Sequence, residues 1–108
     1  MPVLPQDPAQ AVDEIIKIVE SLIELTEKEL TAHLMKDGVT MVAVQGDKEV
    51  LTHKYEEAAK EFAERIEQFR TVDKARLDKL DSLQRDLSDR AKESMNVIKV
   101  PVKEEKAG

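Results

Sequence analysis

The chain has 108 residues, with 23 acidic and 17 basic side chains for a net charge of −6, 41% hydrophobic and 3% aromatic residues, and no cysteine. That length fits a single domain, and the apolar content is too high for a wholly disordered chain. The acidic balance excludes the concentrated positive face a nucleic-acid partner needs and disfavours an anionic membrane surface; the missing cysteines exclude a disulfide framework and a thiolate metal site.

In chain order, Pro2, Pro5 and Pro8 predict an extended segment over residues 1–7, ended by Asp7 as a helix cap with Pro8 at the first helical position. Val12, Ile15, Ile16, Val19, Leu22, Ile23, Leu30 and Leu34 then recur in steps of three and four, the stripe of an amphipathic helix over about 8–36. Asp37-Gly38 ends it, with Gly38 suited to the left-handed conformation at a helix terminus. Val39-Thr40-Met41-Val42-Ala43-Val44 is β-branched enough for a short hairpin strand. A helix is preferred there, because two isolated strands are marginally stable at best. Gly46 inside such a helix costs about 1 kcal/mol relative to alanine and marks a place for a kink.

The second helix is predicted over about 39–70. Tyr55, Ala59, Phe62, Ile66 and Phe69 form its apolar seam, expected to pack on the first helix. Asp73 and Arg76 interrupt that seam, which marks either a turn near Thr71-Asp73 capped by Asp73, the reading preferred, or a polar patch in one long helix. A third helix, about 73–96, carries Leu80, Leu83 and Leu87. Beyond it Val97-Ile98-Lys99-Val100-Pro101-Val102 is expected to be extended, because the residue before a proline avoids the helical region, and the last residues to be a disordered tail. Six acid-to-base pairs at i,i+4 support these helices: Asp13–Lys17, Glu24–Lys28, Glu56–Lys60, Glu61–Arg65, Asp81–Arg85 and Asp86–Arg90. Such a pair contributes ~0.3 kcal/mol. The expected architecture is all-α, an antiparallel helical hairpin or three-helix coiled-coil-like bundle over 8–96, with a tail at 97–108.

Chemistry is sparse. Glu29–His33 and Glu49–His53 are four apart, but carboxylate-bridged metal bundles need Glu-x-x-His on two helices and zinc sites need three or four convergent ligands, so no metal or cofactor is expected. Gln45-Gly46-Asp47-Lys48 lacks the spacing of a phosphate-cradling loop, and no serine carries a nucleophile motif, so an enzyme is not expected. The start lacks the basic region and long apolar run of a secretory signal, and no apolar run reaches the ~18 residues of a membrane span, so the expected location is cytoplasmic. The stripe Leu80, Leu83 and Leu87, with Met95, Ile98 and Val100 beyond it, is the expected protein-binding face for a partner's amphipathic helix. The alternative is a structural or regulatory coiled-coil protein that forms a homodimer through the same seam.

Leu25-Thr26-Glu27-Lys28-Glu29-Leu30 through Leu34, the Lys36-Asp37-Gly38 break, and Asp47-Lys48-Glu49-Val50-Leu51 before Tyr55-Glu56-Glu57-Ala58 resemble the FlgN-type flagellar export chaperones. The likeness spans about residues 15–70. It implies a helical hairpin with a further helix, and a chaperone that holds hook–filament junction proteins in the cytoplasm in an export-competent state. In that family the C-terminal part engages the client's terminal helices.

Overall fold

The computed structural model describes residues 3–107, with side-chain surroundings given as far as Lys92. Three helices make up the fold: α1 (Pro8–Leu34), α2 (Gly38–Glu64) and α3 (Lys74–Ala107), with a 3₁₀ turn at Gln68–Thr71 before α3. No strand occurs among the described residues. The fold is all-α.

Asp7 starts α1 by accepting the Gln10 N–H at 3.0 Å, with Pro8 in the first turn. The α1–α2 reversal closes differently from the sequence expectation. Lys36, not Gly38, takes the left-handed conformation (φ 58°), while no described glycine has a positive φ. The Asp37 N–H reaches back to the Ala32 carbonyl at 2.8 Å and the Lys36 N–H to His33 at 3.2 Å, closing the helix with the paired bonds of a Schellman turn. That leaves Gly38 free to begin α2, where Asp37 caps the Thr40 N–H at 3.1 Å. With its end capped and Val44 buried, the β-branched run is helical despite its strand propensity. The helix runs on through Gly46.

α1 is the central helix, and α2 and α3 each pack along it rather than along each other. It buries eleven residues where α2 buries two. Being covered on two sides widens its apolar stripe: Ile15, Ile16, Ile18 and Val19 are all buried, and Ile18 and Ala11 lie in the core although neither belonged to the expected stripe. α2 runs antiparallel to α1, with Lys48 on Glu29 at 2.9 Å and Lys54 on Glu14 at 3.7 Å. α3 runs parallel to α1: Arg76 meets Asp13 at 3.0 Å and Arg90 meets Glu27 at 2.6 Å, the same fourteen-residue interval (76 to 90, 13 to 27) on both helices.

Four sequence expectations are corrected. Leu34, placed in the core stripe, is 66% exposed, while Ala32 of the same turn is buried in its place. In the α2 seam Ala58 is fully buried and Ala59 only half-buried, while Ile66 is exposed. The physical reason is that α2 stops at Glu64, so Ile66 and Phe69 no longer share a helical register; the 3₁₀ turn swings Phe69 back into the core and leaves Ile66 outside. The third helix does not end near Asn96 but continues through 97–102 to Ala107. The bias before Pro101 and its lost N–H do not end the helix here; the strong helix formers Lys103 to Ala107 follow it within α3.

Residues 3–6 form a strap across the end of the bundle. The Val3 and Leu4 N–H groups donate to the Glu61 carboxylate, the latter at 3.2 Å to Oε1. The Arg65 guanidinium donates to the carbonyls of Pro5 at 2.9 Å and Gln6 at 2.7 Å, and lies over the Phe69 ring at 5.4 Å. Leu4 is buried against the core. Among the described residues no helix is long and apolar enough to cross a membrane.

Candidate helix-docking face

The leucine stripe of α3 is not open. Leu80 is 3% exposed, and Leu83 and Leu87 are half-buried against the core that α1 supplies. They form the α1–α3 seam instead of a free docking face. The seam survives the polar interruption because the chain turns there: Asp73 accepts the Arg76 N–H at 3.1 Å and restarts the helix with its leucines aimed at α1. The side chains of Met95, Ile98 and Val100 lie outside the described residues; their backbone is part of α3.

Among the described residues, the large exposed apolar side chains lie elsewhere. Leu34 and Met35 project at the α1–α2 reversal, and Val39 (85% exposed), Val42 and Val50 continue along the outer side of α2. Val39, Val42, Gly46 and Val50 follow helical steps of three and four, opposite the Val44–Leu51–Tyr55–Ala58–Phe62 side that meets α1. A Cβ at Gly46 would meet nothing within 4 Å, so the backbone of α2 is open to close approach from outside. The sequence carried this signal as a second stripe on the same helix. It was missed because the aromatic seam beside it is more conspicuous.

A shallow groove of ≈ 710 Å³ borders this stripe, lined by Glu29, Gly46, Lys48, Glu49, His53 and Glu56 among others. The paired residues singled out by spacing go separate ways in it. Glu29 is buried and held by Lys48 rather than turned to His33, and His53 sits 3.8 Å from Glu57 rather than engaging Glu49. Among the described residues no group of three or more potential metal ligands converges.

Two carboxylates are tuned by their capping roles. Hydrogen bonds from the Thr40 side chain and N–H hold Asp37 below the usual carboxylate range. Those from the Arg76 side chain and N–H do the same for Asp73, with an Nη1–Oδ1 distance of 2.6 Å, and Asp73 and Asp13 together raise Arg76. Both capping aspartates therefore act as fixed charges at helix starts near neutral pH. No family model, curated protein or solved structure matches this chain.

Proposed function

We propose that this chain is a binding protein, not a catalyst, which holds an amphipathic helix of another protein on the outer side of α2 and the adjoining α1–α2 reversal. The observation that carries the reading is the set Leu34, Met35, Val39, Val42 and Val50, all largely exposed, where the α2 and α3 seams among the described residues are covered by α1. An apolar strip at three-and-four spacing is the surface into which a partner helix lays its own apolar face. In its most specific form, the partner is a terminal helix of a flagellar hook–filament junction protein, kept export-competent in the cytoplasm; the resemblance over residues 15–70 supports that kind of partner, although in the family it is the C-terminal part and not this face that engages the client. Homodimerisation through the Tyr55–Phe69 or Leu80–Leu87 seams is the less favoured alternative, because α1 already packs against Tyr55, Phe62, Phe69, Leu80, Leu83 and Leu87.

The test is a combined Val39→Ser, Val42→Ser and Val50→Ser variant, assayed by fluorescence anisotropy with labelled amphipathic peptides, including terminal helices of hook–filament junction proteins. Because all three positions are exposed, melting should stay close to the parent while binding is lost. Unchanged binding in a folded variant overturns the reading.

A further inference from the structure

We infer that the helix held on α2 is cationic: the docking strip is bordered by carboxylates that outnumber the lysines of the same helix, and two of those lysines are paired with α1 glutamates. This rests on the docking face proposed above and adds the charge of its occupant. Between Gly38 and Glu64 the chain carries six carboxylates, Asp47, Glu49, Glu56, Glu57, Glu61 and Glu64, against three lysines. Two of those lysines are committed to α1: Lys48 to Glu29 and Lys54 to Glu14. Glu61 is committed to the strap. That leaves Asp47, Glu49, Glu56, Glu57 and Glu64 exposed on α2, with Lys60 as the one lysine of the helix not committed to α1; His53 lies 3.8 Å from Glu57.

The strip and the charges are continuous. Val39 to Val50 spans about three turns, roughly 17 Å of helix, and Glu49 and Glu56 line the same groove as Gly46. A docked helix that lays leucine-type side chains on the valines brings its flanking residues over these carboxylates. Lysine or arginine there gains both charge pairing and cover for the strip by its methylene stem. A second copy of this chain is the wrong occupant, because it would set the same carboxylates against themselves on molecules that each carry −6.

The experiment uses two synthetic 18-residue helices with an identical leucine stripe, one flanked by lysines and one by glutamates, titrated into the intact protein and followed by fluorescence anisotropy at low and moderate salt. The lysine helix should bind at least tenfold more tightly, with the difference shrinking as salt rises. A Glu49→Lys/Glu56→Lys variant, altered only at exposed positions, should reverse the preference, and the serine variant of the strip should abolish binding of the lysine helix. Equal binding of both helices, lost in the serine variant, overturns the charge inference and leaves the docking face standing. Lysine-helix binding that survives the serine variant or ignores the Glu49→Lys/Glu56→Lys change is unspecific attraction to an acidic protein and overturns the inference. Binding of neither helix overturns the docking face and the inference together, as does a dimer in sedimentation that buries this side of α2.

Discussion

Glu61, in the last turn of α2, and Arg65, just past its end, stand four apart, the spacing of a helix ion pair, yet each turns to the strap: the carboxylate to two N–H groups, the guanidinium to two carbonyls. Asp13 likewise leaves Lys17 for Arg76, whereas Glu24–Lys28, Asp81–Arg85 and Asp86–Arg90 keep the local pairing. Spacing alone shows which pairs are within reach but not which acquire a better partner from another element. The same limit explains the aromatic seam. Phe62 and Phe69 do meet, with ring centroids 4.4 Å apart, but through a 3₁₀ turn and not along one helix. Replacing buried Phe69 with alanine should therefore cost about 3–5 kcal/mol, a large part of the stability of a small domain. Ile66→Ala, at an exposed position of the same expected seam, should cost roughly 1 kcal/mol at most. Chemical denaturation of the two variants checks the assignment, and comparable losses would contradict it.

Acid sensitivity belongs to this scale as well. Asp73 is depressed in the folded state, chiefly by the Arg76 side chain. A group with a lowered folded pKa stabilises above its unfolded value, about 4 for a carboxyl, and that contribution disappears as pH falls through the lower folded value. Melting curves of the parent and of Asp73→Ala should differ by a constant amount from pH 7 down to about 4 and converge below it. A difference that already shrinks between pH 7 and 5 would show that Asp73 is not the titrating group.

Among the elements, the start of α1 at Asp7-Pro8 was legible because a side-chain cap and a preset proline act within one turn. The restart at Asp73 was only half legible: the polar interruption fitted a turn or one long helix, and the Asp73 cap on the Arg76 N–H is what marks the turn. The length of α3 was not, because the β-branched run and Pro101 over 97–102 read locally as extended, whereas the helix formers on the far side, Lys103 to Ala107, lie within the same helix. Nor was the role of Leu80, Leu83 and Leu87. Periodicity identifies an apolar face without naming what covers it, and here α1, apolar on two sides, covers both α2 and α3. A Leu83→Ser/Leu87→Ser variant should accordingly lose at least ~2 kcal/mol, from apolar area returned to water and hydroxyls placed in a half-buried seam. A variant that melts like the parent would reopen α3 as a free face.

At the scale of the whole molecule, a central α1 explains why one side of the structure is closed and another open. α1 supplies most of the core and holds α3 in parallel register by two ion pairs, so the inner faces of both neighbours are covered. α2 buries only Val44 and Ala58, and its outer side keeps valines that no described element covers. That asymmetry is the physical basis of the binding proposal, and it could not be read from any one helix in isolation. The most direct test is a map of backbone amide shifts in a ¹⁵N-labelled sample titrated with the lysine-flanked amphipathic helix. Perturbations should concentrate between Leu34 and Glu57, centred on Val42, Gly46 and Val50, with the Leu80–Leu87 seam unchanged. Perturbations confined to α3, or none at saturating peptide, would contradict the account.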